Sequence, residues 1–147
     1  YEDMFRSFAY YHPHKVGVYF GYNNELSHLI EAGADIFLMP SQYEPCGLNQ
    51  IYSLKYGTVP IVRKTGGLAD TVHDWHEYSY LGLDSGTGFS FNDYTGLALY
   101  TSVTRAITEY KNKTNWQTIQ ANGMSQNYNW RNAAKKYIKL YDLALKK

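Results

Sequence analysis

Hydrophobic positions along this chain alternate between short dense runs and helical spacings. Residues 16–20 are rich in β-branched and aromatic side chains and end at Gly21, which predicts a buried strand. From Asn24 onward Leu26, Leu29 and Ile30 recur at helical spacing until Gly33, where a left-handed cap is usual. Ile36 to Met39 is a second apolar run, stopped by Pro40. A mixed loop over 41–45 then gives way to a helical pattern of Leu48, Ile51, Tyr52, Leu54 and Lys55 that closes at Gly57. Residues 59–62 predict a third strand, and Thr65-Gly66-Gly67 turns into a helix carrying Leu68, Ala69 and Val72. Three strand–helix units in series predict an α/β domain: a Rossmann-like parallel sheet with helices on both faces.

The second half is more helical. Residues 74–86 have no clear period and predict a long loop bordering a site or a missing partner; residues 88–91 suggest a last edge strand. Leu99, Val103, Ala106, Ile107 and Tyr110 share one helical face, and Trp116, Ile119 and Met124 predict a shorter helix ending near Gly123. Asn129 is a candidate N-cap for a final helix over about 130–145. Its Ala134, Tyr137, Ile138, Tyr141 and Leu145 form an apolar face, while Lys135, Lys136, Lys139, Lys146 and Lys147 lie elsewhere, several near the C-terminal end where cations suit the dipole. That face must pack on something apolar.

Composition narrows the classes. With 147 residues, 44% hydrophobic and 18% charged, the chain is expected to form one compact domain. Fourteen Lys and Arg against thirteen Asp and Glu leave a net charge of +1, too little to draw in a nucleic-acid backbone. A single cysteine, Cys46, closes no intramolecular disulfide and is too few for a structural zinc site, which points to a reducing compartment. Secretion is therefore not expected, and Asn112-Lys113-Thr114 carries no glycosylation meaning without it. No apolar run approaches the roughly 20 residues of a membrane helix, and the opening residues do not form a signal peptide. The sixteen tyrosines fit either half-buried packing or a sugar-stacking surface.

Ligands of open parallel sheets gather at the carboxyl ends of the strands, beside the free N–H groups of the following helices. At the first such end, after residues 16–20, Tyr22 either stacks on a planar base or packs against its own helix. At the second, Glu44 precedes a helix start, so its carboxylate and the N–H groups of Cys46, Gly47 and Leu48 can converge on a small polar ligand such as a sugar. The alternative is an ordinary helix start with an acidic residue nearby. Cys46 has no neighbouring His to activate it and reads as a small packed thiol rather than a nucleophile. At the third end, Thr65-Gly66-Gly67 is either a cradle for a diphosphate or a plain turn; the flanking Arg63 and Lys64 could supply charge, though solvated surface positions are the commoner fate of such residues. It lacks the full dinucleotide or P-loop pattern, and Gly21-Tyr22-Asn23-Asn24 lacks the GxGxxG of an oxidoreductase. The pairs His73/His76 and His12/His14 have no third ligand of obvious spacing, so no metal site is expected.

The strings Glu44-Pro45-Cys46-Gly47-Leu48, Tyr56-Gly57-Thr58-Val59-Pro60-Ile61-Val62-Arg63 and Thr65-Gly66-Gly67-Leu68-Ala69-Asp70-Thr71-Val72 resemble the bacterial glycogen synthase and plant starch synthase family. The likeness extends over nearly the whole chain, through residues 32–41, Thr87-Gly88-Phe89 and Asn129-Trp130. It implies a two-Rossmann-domain (GT-B) glycosyltransferase that moves glucose from ADP-glucose to the non-reducing end of an α-1,4-glucan, with retention and with no metal or other cofactor.

By position, the resemblance implies that Tyr22 stacks on adenine and that Glu44 faces the transferred glucose and supports its cationic transition state. Cys46, Gly47 and Leu48 offer amides to the sugar hydroxyls, and Thr65, Gly66 and Gly67 lie near the distal phosphate. Asn49 stands where most members have a phosphate-touching Thr, which leaves only its backbone N–H for that contact. Tyr52 occupies the place of a second Glu found in related glycosyltransferases, as is usual in the glycogen synthase branch. The family's acceptor groove, Lys-x-Gly-Gly loop, catalytic His and diphosphate-neutralising Arg and Lys are not located in these 147 residues. The expectation is thus the C-terminal nucleotide-sugar-binding part (1–147) of a longer enzyme, inactive and weakly binding alone, with its final helix turned toward the other domain and Tyr137, Tyr141 or Leu145 exposed for want of it. It would be cytoplasmic in a bacterium or plastidial in a plant, with no nucleic-acid or membrane partner. The rival reading is a non-catalytic nucleotide-sugar- or glucan-binding module of the same fold.

Overall fold

The structure, a computed structural model, describes residues 1–145. In chain order it comprises α1 (Glu2–Tyr11), α2 (Asn24–Gly33), β1 (Ile36–Met39), α3 (Asn49–Tyr56), β2 (Val59–Arg63), α4 (Gly66–Thr71), α5 (Trp75–Tyr80), β3 (Phe89–Phe91), α6 (Gly96–Tyr110), α7 (Lys113–Ser125) and α8 (Trp130–Leu145). The strands form one parallel sheet in the order β1-β2-β3, with Ile36 opposite Val59 and Ile61 opposite Phe89. Parallel neighbours require crossovers, and helices supply them.

Because alternate residues of a strand face opposite sides, β2 serves two cores. Val59 and Ile61 join Phe89 and Phe91 of β3 under Trp75, Ala106, Trp116 and Ile119, so α5, α6 and α7 cover that face. Val62 packs with Leu68 and Val72 and with Met39 on the other face, beneath α4. The expected layering, helices on both faces of a parallel sheet, is the one observed. At the sheet's side, α7 packs tightly on α3: a Cβ on Gly123 would lie 2.8 Å from Leu54 Cδ2.

Two expectations are corrected and one element is added. Residues 16–20 are not a buried strand; they run outside the sheet, with Val18 and Tyr19 exposed, and β1 has no partner on its outer edge among the described residues. β propensity reflects packing on a pleated surface, and here Phe20 instead lies under the guanidinium of Arg6, 4.3 Å from its ring centroid. Residues 2–11, for which no element is predicted, form α1, whose N-cap Tyr1 makes no side-chain cap bond, so the usual start signal is missing. The stretch 74–86 is not all loop: Asp74 accepts from the N–H groups of His76 and Glu77 and starts α5.

The Asp74 carboxylate does more than cap. It is buried against Arg105, with Nη1 donating to Oδ1 at 3.2 Å and Nη2 to Oδ2 at 2.7 Å, and it also accepts from the Ser90 N–H at 2.7 Å. One ion pair thus ties α5, β3 and α6 together. Asn129 caps α8 as expected, accepting from the Asn132 N–H at 3.0 Å. No residue of α8 is buried, and Tyr137, Tyr141 and Leu145 are exposed. Lys146 and Lys147, placed by sequence off the apolar face, lie outside the described residues. No described helix is long and apolar enough to cross a membrane.

Candidate functional site

The carboxyl ends of β1 and β2 are neighbours in the sheet, so the loops that leave them, 40–48 and 64–65, emerge side by side. They touch directly. The Gly67 N–H donates to the Glu44 carbonyl oxygen at 3.2 Å. A Cβ on Gly66 would overlap that same oxygen, and one on Gly67 would overlap the Cys46 carbonyl. Gly66 also has a φ of 43°, a left-handed value that costs a glycine little. The two glycines therefore let the start of α4 press against the Glu44–Cys46 backbone.

Gly47 has a φ of 74°, which turns the chain sharply into α3. The N-cap of α3 is Leu48, which offers no capping side chain. Among the described residues the N–H groups of Cys46, Gly47, Leu48 and Asn49 have no hydrogen-bond partner. Free N–H groups at a helix start carry partial positive charge and suit hydroxyl or anionic oxygens. The Glu44 side chain, half-buried at the entrance to this turn, likewise forms no ion pair or hydrogen bond among the described residues.

Next to the turn lies a cavity of about 530 Å³ lined by Tyr19, Tyr22, His28, Leu48, Asn49 and Tyr52, among others. Tyr22 is 92% exposed, so its ring is not spent on packing against α2. The structure therefore brings Tyr22, Leu48 and Asn49 to one cavity, and Glu44, Cys46, Gly47, Gly66 and Gly67 to one backbone junction. Residues 46–49 join the two. Thr65 sits at the N-cap of α4 without a side-chain cap bond. A second cavity of about 530 Å³, formed by Tyr1, Phe5, Pro40, Phe91, Tyr94 and Leu99 with others, is mainly apolar and holds none of these residues.

Two expectations about charge are corrected. The Gly67 N–H does not face outward for a phosphate, because Glu44 accepts it; the residue closes the junction instead. Arg63 and Lys64 are not free cations beside the glycines. Arg63 donates to the carbonyls of Gln42 at 2.5 Å and Asn92 at 3.2 Å, and Lys64 pairs with Glu77 at 2.7 Å. His73 stacks on Tyr78, His76 pairs with Glu109 at 2.9 Å, and no three His, Cys, Asp or Glu side chains cluster as metal ligands among the described residues.

Sequence reasoning missed two polar groups behind the site. Gln50, wholly buried in the first turn of α3, donates from Nε2 to the carbonyls of Cys46 at 2.9 Å and Gly47 at 3.0 Å. Glu31, buried on α2, has an Oε2 without a hydrogen-bond partner, 4.0 Å from His28 Nδ1. Burial pushes its carboxyl above the usual range, and the charge of His28 opposes that only in part. Leu26, Leu29 and Ile30 signal the helix that carries it, but nothing in the sequence marks a buried acid.

Comparison with known proteins places these features in context. The family described as "Glycosyl transferases group 1" matches residues 8–122. A glycogen synthase of Koribacter versatilis (strain Ellin345) is 49% identical over 144 residues, 98% of this chain and 29% of the relative. A glycogen synthase of Bacillus cereus (strain B4264) is 45% identical over 141 residues, 96% of this chain and 29% of the relative. Among solved structures, the catalytic domain of starch synthase IV from Arabidopsis thaliana, bound to ADP and acarbose, superposes with a TM-score of 0.79 at 30% identity, covering 100% of this chain and 31% of that one. The chain thus spans under a third of the length of the proteins it matches.

Proposed function

The chain belongs to the glycosyl transferases group 1 family, and from that premise we propose that it is the donor-binding part of a glucan synthase. The reaction is transfer of glucose from ADP-glucose to the non-reducing end of an α-1,4-glucan, with retention at the anomeric carbon. The observation that carries this reading is the junction itself: unpartnered N–H groups at 46–49 and an unpaired carboxylate at Glu44, with Leu48 and Asn49 of that turn lining the cavity that holds the exposed ring of Tyr22. The similarity to glycogen synthases and to a starch synthase solved with ADP and acarbose supports the choice of substrates.

In this reading the base stacks on Tyr22. The diphosphate meets the N–H groups at the start of α3, including that of Asn49, whose amide serves whatever its side chain does, and that of Gly66; the Thr65 N–H is already spent on the Arg63 carbonyl at 2.9 Å. The hexose hydroxyls accept from Cys46, Gly47 and Leu48. When the bond from the anomeric carbon to the diphosphate breaks and the bond to the glucan hydroxyl oxygen forms, the hydroxyl's proton leaving to the departing ADP, positive charge builds at the sugar and negative charge on the leaving group. Glu44 opposes the first, and the helix-start dipoles oppose the second, both fixed before the reaction begins. The chemistry asks for no metal or cofactor. The further length of the relatives has room for an acceptor groove and for the cationic side chains that Arg63 and Lys64 do not supply.

The test is made in the complete protein that carries this chain. Glu44→Gln is expected to lower turnover about a hundredfold or more, with ADP affinity and thermal stability kept; near-native turnover would refute the assignment. Calorimetric titration of the chain with ADP, ADP-glucose and maltooligosaccharide separates the rival: glucan binding without any nucleotide response marks a non-catalytic glucan-binding module.

A further inference from the structure

Gln50 touches no solvent, yet its side-chain amide sits at the centre of the site's backbone. Nε2 lies within hydrogen-bond reach of three acceptors: the Cys46 carbonyl at 2.9 Å, the Gly47 carbonyl at 3.0 Å and Thr71 Oγ1 at 3.2 Å. Thr71 Oγ1 spends its own proton on the Gly67 carbonyl at 2.6 Å, so toward Gln50 it only accepts. With two carbonyls and a committed hydroxyl around it, the nitrogen end of the amide is the end that belongs there. One buried group thus holds the 46–47 turn of α3 and, through Thr71, the first turn of α4.

The consequence for the site follows from peptide geometry. A trans peptide is planar, and its C=O and N–H point in opposite directions. The Cys46 carbonyl shares a plane with the Gly47 N–H, and the Gly47 carbonyl with the Leu48 N–H. Drawing both carbonyls inward onto Gln50 turns both N–H groups away from the core. A Cβ on Gly47 would overlap the Gln50 amide, so the glycine also makes room for this bond.

We propose that Gln50 is a positioning residue, whose buried amide locks the 46–47 and 47–48 peptide planes so that Gly47 and Leu48 present their N–H groups to the hexosyl part of a nucleotide sugar. This rests on the donor-site reading above. It distinguishes the sugar from the nucleotide: base and diphosphate contacts at Tyr22, Asn49 and Gly66 do not depend on those two planes.

Two measurements test it: NMR on this chain, and calorimetry on the complete protein that carries it. In the native chain the Gln50 side-chain NH₂ is expected to exchange with solvent about a hundredfold more slowly than that of exposed Gln42. Exchange as fast as that of Gln42 overturns the proposal without any variant being needed. In Gln50→Met, similar in shape but without the donor, the Gly47 and Leu48 amide resonances should shift while those of the β2–β3 core stay in place. Affinity for ADP should stay within about threefold, while the extra affinity contributed by the glucosyl group in ADP-glucose falls about tenfold, the worth of one net hydrogen bond. A variant that keeps the native ratio of ADP-glucose to ADP affinity overturns the proposal. If the native chain shows protected Gln50 and ordered amides but the affinity of the complete protein gains nothing from the glucosyl group, the positioning of the loop stands and the hexosyl assignment falls.

Discussion

The Gly67 N–H donates to the carbonyl oxygen of Glu44 at 3.2 Å, joining the entrance of α4 to the residue proposed to face the reacting sugar. Neither helix start is positioned alone. Because a Cβ on Gly67 would overlap the Cys46 carbonyl, Gly67→Ala must push the two loops apart. The expected cost is about 1–3 kcal/mol in urea unfolding, the range for overpacking a close contact. In the complete protein, transfer activity should fall further than this loss of stability explains. Unchanged unfolding and activity in Gly67→Ala would show that the junction is loose.

Tyr22 is 92% exposed, so removing its ring disturbs no core. Tyr22→Ala is expected to leave the unfolding midpoint within experimental error while weakening ADP by about 1–3 kcal/mol, the range for one base on an aromatic ring. Tyr22→Phe should bind as the native chain does, because stacking uses the face of the ring and not the hydroxyl. Isothermal titration with ADP reads both. An alanine variant with native ADP affinity would remove Tyr22 from the site.

Much of this architecture was legible in the sequence because its signals are local. The apolar runs that became β1 and β2 each have a breaker at the end, and the glycines at 47, 66 and 67 mark sharp turns or close approaches that the backbone does make. Residues 16–20 carry an equally strong strand signal and form none, since pairing depends on a neighbouring edge that propensity does not encode. The start of α5 was legible in principle: Asp74 followed three residues later by Glu77 is a capping pattern, obscured by the irregular aromatics around it. Gln50 was invisible for a different reason. Reading for ligand contacts selects exposed polar residues, and Gln50 acts from inside through carbonyls that no side-chain pattern reports.

Asp74 makes acid stability a prediction. Burial alone would raise its carboxyl pKa, but the hydrogen bonds from Arg105 and the Ser90 N–H, with the charge of Arg105, bring it below the ordinary value. A depressed folded value stabilises the fold above the unfolded carboxylate pKa of about 3.9 and is lost as pH falls through the folded value. Arg105→Met leaves a buried carboxylate unpaired and is expected to cost about 3 kcal/mol at pH 7. That penalty should shrink as pH falls, because without Arg105 burial raises the variant's carboxyl above its ordinary value and the acid becomes neutral. Urea denaturation at pH 7 and pH 3 measures the difference; an equal penalty at both would mean the ion pair is not its source.

Glu31 predicts the opposite sign. Its carboxyl is buried on α2 with Oε2 unpartnered, and burial holds its pKa above the usual value. A raised folded value favours the protonated acid in the fold, so this contribution is present below the unfolded pKa of about 4.3 and disappears as pH rises through the folded value. His28 Nδ1, 4.0 Å away, is too distant to offset the burial in full. Glu31→Met keeps an unbranched side chain of similar length and removes the group that must charge in a dry site. The Thr58 hydroxyl bonds the backbone carbonyl of Glu31, not its carboxyl, and so survives the change. The variant is therefore expected to gain about 1 kcal/mol over the native chain at pH 8, and little at pH 4. The Thr58 bond matters to this test because it keeps α2 fixed on the turn between α3 and β2, so a change in stability reports the carboxyl itself. A Glu31→Met variant that is destabilised equally at both pH values would mean that the carboxylate is held by favourable contacts and that its burial is no burden to the fold.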